Sequence, residues 1–304
     1  MRNNRVLLAP LLMAVAVAFF ALNDAGIKWL SVRDGLPLFQ ILVVRNVFIT
    51  VIFFCICLAS LGWQKFLVEA FKPGYFLYAI PEVVMALPYI YALKLLPLQT
   101  AQPIVQLSPL FAVLIGVLFL GRRSNWQRWL AIGFGFSGVL AIVNPVGGFD
   151  VSWLIFLPMV TAFVAGLRDA VTNRFGAKLN PLAVAFSMAW TILAVMGVAQ
   201  IFEIDGAWQP IDGTAMIVFA VLCGAVSIGY VARVIAIQHS EISVIAPIFY
   251  TGMIWAMLFG AIVFGDPIGL GQVLGAGLIA VGGLILIWFD PLKTMKLTQQ
   301  VAKP

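Results

Sequence analysis

Ten long apolar runs, separated by short polar breaks, follow one another along nearly the whole chain. Most of them approach the length of about 20 residues that an α-helix needs to cross the hydrocarbon core of a bilayer. Backbone polar groups in that core must be satisfied internally, and continuous runs indicate helices rather than the alternating strands of a barrel. The pattern predicts an all-α polytopic membrane protein with ten transmembrane helices. The predicted spans are residues 6–30, 36–61, 73–94, 98–120, 126–143, 151–173, 181–202, 214–237, 241–264 and 269–289.

The composition supports the same class. Hydrophobic residues make up 63% of the 304 residues and charged residues only 10%, whereas a soluble domain is about 45–50% apolar and about 25% charged. This excludes an ordinary soluble enzyme, a disordered chain and a disulfide-stapled secreted fold. Cys55, Cys57 and Cys223 lie within apolar runs without metal-ligand spacing, so we expect them to be reduced.

The distribution of Lys and Arg predicts the orientation of the spans. With the N-terminus inside, the inside segments carry 12 of these residues, and the outside segments carry only Arg33 and Lys94. The first run shows no convincing cleavage site and is expected to be an uncleaved span. We therefore expect an inner (plasma) membrane protein with both termini in the cytoplasm. The net charge of +6 is attributed to loops that face anionic lipid, so no nucleic-acid partner is expected.

The two halves of the chain resemble each other at an offset of 144–145 residues. Residues 21–25 match residues 166–170, and residues 101–104 match residues 245–248. Each half contains five predicted spans, an odd number, so the second half must be inverted in the membrane. We predict repeats at 1–145 and 146–291 and a cytoplasmic tail at 292–304. Inverted repeats are typical of transporters that bind their substrate near the membrane midplane.

Proline and glycine positions within the repeats resemble a known family. The second copy carries Pro247, then Gly265-Asp266-Pro267, and then Gly275, Gly277 and Gly282; the first carries Pro103, Gly121, Gly133, Gly135 and Gly138. These features resemble the EamA family of the drug/metabolite transporter superfamily. The first copy departs from the pattern at Arg122, where an acidic residue is expected. The resemblance implies a secondary transporter that works by alternating access.

Three segments point to a subgroup. Asn23-Asp24 with Lys28, Phe39 with Arg45, and residues 126–129 look like importers of S-adenosylmethionine or riboflavin. We expect transport of a small metabolite that is amino-acid-like, zwitterionic or aromatic-bearing. An exporter of drugs or amino acids from the same family is the alternative, and a membrane enzyme or a channel is a remote one. The sequence has no Walker A motif and no clustered metal ligands, so no catalytic residue, cofactor or metal is predicted.

Ionisable residues within apolar spans are candidates for the substrate site, because each costs about 2.5–3.5 kcal/mol to insert at the bilayer centre. Polar side chains and mid-span aromatics that could line the same cavity are added to them. Each has a structural alternative: an ion pair of Asp24 with Lys28 one turn away, snorkelling of Arg168, interhelical hydrogen bonds or aromatic packing. The candidates are Asn23, Asp24, Arg45, Glu82, Tyr89, Gln102, Gln106, Arg168, Asp169, Arg233, Tyr250 and Trp255.

The hinges of the protein and the coupling of transport to protons are predicted less directly than the fold. Pro103 and Pro247 match across the repeat and are predicted hinges, because proline interrupts helical hydrogen bonding. Proton coupling through Asp24, Glu82 or Asp169 is a hypothesis, and exchange or facilitated diffusion fits the sequence equally. Residues 133–138 spell G-x-G-x-x-G inside a span, which favours close helix packing over dinucleotide binding. That packing could lie within one protomer or between two, so both a monomer and a homodimer remain open.

Overall fold

The structure is a computed structural model of the 304-residue chain, and it describes residues 2–70, 72–119, 126–143, 153–175, 180–239 and 248–288. Within these ranges the regular secondary structure is helical. The helices of the first half are α1 (Arg2–Val32), α2 (Leu38–Leu61), α3 (Trp63–Ala70), α4 (Phe76–Leu95), α5 (Leu98–Val105), α6 (Ser108–Leu118) and α7 (Trp126–Val143). Those of the second half are α8 (Phe156–Phe175), α9 (Pro181–Ile201), α10 (Gly213–His239), α11 (Gly252–Phe264) and α12 (Leu270–Trp288).

Seven segments of the described chain are long and apolar enough to cross a membrane. They comprise α1, α2, α4 with the turn before it, α5 together with α6, α8, α9 and α10. Three shorter apolar helices fall in α7, α11 and α12. The prediction of a helical polytopic protein is thus confirmed in its class. Part of the predicted span 241–264 lies outside the described residues, and α11 begins after a described turn at Tyr250 and Thr251.

The predicted fourth span is two helices rather than one. α5 ends at Val105, two turn residues follow, and α6 begins at Ser108. Pro109 has no N–H to donate to the carbonyl of Val105, so the helical ladder cannot continue through it. Pro103, the predicted hinge, lies inside α5 just before this break. Its repeat mate Pro247 lies outside the described residues.

Helices of the first half pack mainly against helices of the second half. α1 packs along α10, α4 along α8, α2 along α9 and α7 along α12, while α1 also contacts α11 and α6 contacts α8. The offset of about 144 residues converts α1 to α8, α4 to α10 and α6 to α11. Under this exchange the α1–α10 pair becomes the α8–α4 pair, and the α1–α11 pair becomes the α8–α6 pair. The packing pattern therefore has the same repeat as the sequence.

Glycines allow α7 and α12 to approach each other closely. A Cβ atom on Gly138 would lie 2.6 Å from the carbonyl oxygen of Gly275, and one on Gly275 would lie 2.5 Å from the carbonyl oxygen of Gly138. Gly282 faces the carbonyl oxygen of Ala131 in the same way. The small residues of the G-x-G-x-x-G segment thus support packing within the protomer. Gly133 differs, because its position has no atom within 4 Å of an added Cβ.

Replacing a glycine at the α7–α12 contact is expected to destabilise the protein. Gly138→Ala forces two backbones apart and should lower the free energy of unfolding by about 1–3 kcal/mol. Gly133→Ala, one turn away on the same helix, meets no atom and should be neutral or raise stability by up to about 1 kcal/mol, since alanine is the better helix former. Thermal unfolding of the full chain in detergent measures both. Equal melting temperatures for the two variants would contradict this packing.

Candidate functional site

The carboxylate of Asp24 on α1 has hydrogen-bond donors at both of its oxygens. The hydroxyl of Tyr89 on α4 donates to Oδ2, and Nδ2 of Asn23 donates to Oδ1 at 3.1 Å. Asn23 and Asp24 are 3% and 7% exposed. Arg45 on α2 lies close enough to interact electrostatically with Asp24 and Tyr89. The two hydrogen bonds and the nearby guanidinium group stabilise the ionised form of the Asp24 carboxylate, which is buried away from water inside the bundle.

A second set of charged side chains forms ion pairs that join α4 to α8. Nη1 of Arg168 lies 2.6 Å from Oε2 of Glu82, and its Nη2 and Nε lie 2.9 and 3.0 Å from Oδ1 of Asp169. The side chains of Arg168 and Glu82 are 16% and 21% exposed, while that of Asp169 is 43% exposed. Arg168 therefore binds Glu82 across the helix interface, which replaces the simple snorkelling interpretation.

Tyr230 on α10 connects these two groups and was not among the predicted residues. Its side chain interacts electrostatically with Glu82, Arg45, Arg168 and Arg233. Phe20 and Phe53 hold its ring edge-on, with centroids 5.1 and 5.6 Å away. A tyrosine in an apolar run resembles a packing residue, but its position three residues before Arg233 places both on one side of α10.

We call these residues the central cluster. It contains three carboxylates and three guanidinium groups, supplied by helices from both halves of the chain. Arg233 is held at its edge, with its guanidinium 5.3 Å from the ring centroid of Phe249. The central cluster consists of Asn23, Asp24, Arg45, Glu82, Tyr89, Arg168, Asp169, Tyr230 and Arg233.

Two polar atoms of the central cluster are buried without a hydrogen-bond partner in the described part of the chain. They are Nε of Arg45, a donor, and Oδ1 of Asn23, an acceptor. A buried polar group without a partner costs about 1–3 kcal/mol, and such groups are uncommon in native proteins. The central cluster therefore has one donor and one acceptor that a bound molecule could satisfy.

Of the remaining candidates, Gln102 and Gln106 lie at the break between α5 and α6, Tyr250 lies just before α11, and Trp255 lies within α11. Nε2 of Gln106 donates to the carbonyl oxygen of Phe249 at 2.8 Å and lies 3.5 Å from Oε1 of Gln102. Tyr250 packs so tightly on Gly283 that a Cβ there would overlap its ring. Trp255 stacks on Phe259 at 6.1 Å. The described contacts of Tyr250 and Trp255 are thus with apolar neighbours, and neither residue belongs to the central cluster.

Lys28 pairs with groups from other parts of the chain rather than with Asp24, the partner considered for it on its own helix. Its Nζ donates to the carbonyl oxygen of Leu96 at 3.0 Å and lies 3.3 Å from Oδ2 of Asp266. The proposed ion pair with Asp24, one turn earlier, is not formed. Asp24 is directed at α4, whereas Lys28 reaches the end of α11, because each finds a stronger tertiary partner than the other offers.

Removing Arg168 is expected to destabilise the fold. Arg168→Met leaves the carboxylate of Glu82 unpaired within the bundle and should lower the free energy of unfolding by about 3–5 kcal/mol. The double variant Glu82→Gln/Arg168→Met retains neither charge of the pair and should recover a large part of that loss. Arg33→Met, at an exposed position, serves as the control and should cost about 1 kcal/mol or less. A double variant no more stable than Arg168→Met would contradict the pairing.

Known proteins resemble this chain over its full length. A model of the EamA-like transporter family matches residues 7–144 and 152–288. An uncharacterized transporter of Helicobacter pylori (strain J99) is 24% identical over 303 residues, which is 97% of this chain and 99% of the relative. A solved crystal structure aligns over 100% of both chains with a TM-score of 0.63 and 16% identity, and it shows the fold alone.

Relatives with more specific names match over a smaller part of the chain. The riboflavin transporter of Rhizobium johnstonii is 27% identical over 175 residues, 56% of this chain and 55% of the relative. The S-adenosylmethionine uptake transporter of Rickettsia felis is 22% identical over 201 residues, 66% of each. The family model covers most of both halves and agrees with the long apolar helices. This membrane protein therefore belongs to the EamA-like transporter family.

Proposed function

We propose that the protein is a secondary transporter that moves a small zwitterionic metabolite through the central cluster by alternating access. The observation that carries the proposal is the pair of unsatisfied buried atoms, Nε of Arg45 and Oδ1 of Asn23. The guanidinium of Arg45 would bind the carboxylate of the metabolite. Oδ1 of Asn23, beside the Asp24 carboxylate, would accept a hydrogen bond from its ammonium group.

The charge balance of the central cluster supports a zwitterion over an ion of one sign. Three carboxylates and three guanidinium groups give the central cluster a formal net charge of zero. A ligand with one charge would leave an uncompensated charge inside the bundle, which costs several kcal/mol. A zwitterion can exchange partners with existing pairs and leave the balance unchanged. The rings of Tyr89 and Tyr230 offer surfaces on which an aromatic part of the ligand could pack.

The architecture that we propose for transport has ten transmembrane helices in two inverted repeats, residues 1–145 and 146–291, and a tail at 292–304. The seven long and three shorter apolar helices support that number. The exchange of helix pairs under the repeat offset supports the inversion. Both termini are assigned to the cytoplasm and the protein to the inner membrane by the distribution of Lys and Arg. The direction of transport then follows the substrate gradient, because alternating access is reversible.

Two further features of transport belong to this proposal. The break between α5 and α6 after Pro103 would act as a hinge, with Pro247 as its counterpart in the second repeat. Where transport is coupled to protons, Asp24 is the acceptor that we propose, because it lies in the central cluster against Tyr89. Uptake into proteoliposomes with and without an imposed pH gradient tests the coupling, and an uptake rate that ignores the gradient would count against it.

Binding can be tested with a panel of zwitterionic amino acids and, beside it, with S-adenosylmethionine, whose sulfonium group adds one positive charge to the amino-acid zwitterion. A ligand at 100 times its Kd should stabilise the purified protein by about 2.7 kcal/mol, which a thermal-shift assay detects. Arg45→Met should weaken binding of the zwitterion about tenfold or more, because a hydrogen bond to a charged group is worth about 1.5–3 kcal/mol. The same variant should bind the methyl ester of that ligand at least as well as the wild type does, since the ester lacks the carboxylate and its single positive charge compensates the lost guanidinium group.

Tyr91→Phe is the matched control for the loss of a tyrosine hydroxyl outside the central cluster. Tyr91 also donates to a carboxylate, that of Asp205 at 3.0 Å, but this pair lies away from the central cluster. We expect Tyr91→Phe to retain both affinities and Tyr89→Phe to retain or strengthen binding of the zwitterion, because the Tyr89 hydroxyl occupies the Asp24 oxygen that the ligand ammonium would take. Equal loss of the zwitterion and its ester in Arg45→Met would contradict the assignment of the carboxylate to Arg45. Absence of binding by every zwitterion of the panel would contradict the substrate class.

A further inference from the structure

One end of the bundle is closed by contacts that join the two halves of the chain. This end, formed by residues 33–37, 96–97, 202–212 and 265–269, lies opposite the N-terminus of α1, and we call it the distal end. Lys28 lies at its centre. Its ammonium group binds the carbonyl oxygen of Leu96 and the carboxylate of Asp266, and it lies 4.8 Å from the ring centroid of Phe264.

Other contacts at the distal end also cross between the halves. Nη2 of Arg33 donates to the carbonyl oxygen of Val263, and Nε2 of Gln99 donates to that of Pro267, both at 3.1 Å. On the other side of α1 and α2, the turn after α9 is held by the carboxylate of Asp205, which accepts hydrogen bonds from the backbone N–H of Leu38 and the hydroxyl of Tyr91. Gln40 and Gln209 exchange two hydrogen bonds of 2.7 and 2.9 Å.

These contacts lie directly above the central cluster. Lys28 is four residues from Asp24 on α1, which is about 6 Å along the helix axis. The side chains of Lys28 and Asp266 are 8% and 19% exposed. A path from the central cluster to the distal end along α1 would therefore pass between α1 and the end of α11, which this ion pair joins.

The repeat does not reproduce the ion pair at the opposite end. At the same offsets, Lys28 corresponds to Asn173 and Asp266 corresponds to Arg122. Neither of those side chains lies in the described part of the structure, but an amide and a guanidinium group cannot form an ion pair whatever their positions. The two ends of an otherwise repeated architecture thus differ in the chemistry of this one contact.

We infer that the Lys28–Asp266 ion pair is a gate that keeps the distal end closed and biases the resting protein toward the state open at the other end. The inference rests on the proposed alternating access. Opening the distal end must separate the ammonium from a carboxylate, a carbonyl and an aromatic ring together. Because Asn173 and Arg122, the repeat equivalents of the pair, cannot form an ion pair, this attraction acts at the distal end alone of the two equivalent positions and favours distal closure. Lys28 and Asp266 act as gating residues and are separate from the residues proposed to bind the substrate.

The gate can be tested without a substrate. Cys55, Cys57 and Cys223 are replaced by serine in the full chain, and spin labels are attached at Leu95 and Ile268, which are both 48% exposed. Pulsed electron–electron double resonance in lipid nanodiscs then reports the distance between α4 and the turn after α11. We expect Asp266→Asn to raise the fraction of long distances about threefold or more, because the loss of one ion pair is enough to shift such an equilibrium.

Three variants make the result specific. Lys28→Met removes the other half of the pair and should also widen the distance distribution, so a folding defect of one variant does not end the test. Asp266→Glu keeps the charge and should retain the wild-type distribution. Asp34→Asn makes the same charge change at the same end, but burial and repulsion by the nearby carboxylate of Asp212 raise the pKa of Asp34, so this variant removes no attraction to a cation. It should therefore leave the distal end closed.

The outcomes separate the gate from the transport proposal. Wild-type distances in both Asp266→Asn and Lys28→Met would overturn the gate, even where the zwitterion binds as proposed. Widening in both of these variants and also in Asp34→Asn would overturn it too, because net charge rather than the ion pair would then control closure. Widening in the two gate variants alone supports the gate, and it does so independently of whether a zwitterion from the panel binds.

Discussion

Charges inside an apolar bundle must be matched, and the arrangement of this protein follows from that constraint. An isolated carboxylate or guanidinium group in the interior costs several kcal/mol, so each requires a partner on a neighbouring helix. Asp24 obtains Tyr89 from α4, and Arg168 of α8 obtains Glu82 from the same helix. α4 is therefore held between α1 and α8 by polar contacts at two levels. The Glu82–Arg168 pair ties the first half of the chain to the second, and the Asp24–Tyr89 pair ties α1 to α4 within the first half.

The contacts elsewhere in the bundle are of another kind. α7 and α12 are joined by glycines whose backbones meet, and this contact leaves little room for the helices to slide. The charged pairs, in contrast, can be exchanged for others at small net cost provided that the balance of charge is kept. Under the proposed function, a molecule that offers both signs of charge would separate α1, α4 and α8 while α7 and α12 stay together. The location of the polar contacts thus defines which helices can rearrange.

Much of the fold follows from the sequence, because the apolar length of a membrane helix and a repeat offset are local or periodic properties. The pairing of side chains is not. Lys28 and Asp24 are favourably spaced on one helix, yet Lys28 binds a carboxylate 238 residues away. An exposed helical pair is worth only about 0.2–0.5 kcal/mol, so a buried tertiary partner prevails. Tyr230 was not predicted for a related reason. Its importance lies in the four charged side chains around it, which its neighbours along the chain do not indicate.

The position of Lys28 and Asp24 on a single helix turn would link the proposed binding of substrate to the proposed closure of the distal end. A ligand shifts a conformational equilibrium only through a difference in its affinity for the two states. In the distally closed structure, Asp24 is already bonded to Tyr89 and Asn23. A ligand ammonium that replaces the hydroxyl of Tyr89 would loosen α1 from α4. The carbonyl of Leu96, at the end of α4, is one of the three groups that hold Lys28. Movement between α1 and α4 at the central cluster therefore weakens the same contacts that close the distal end, one turn away.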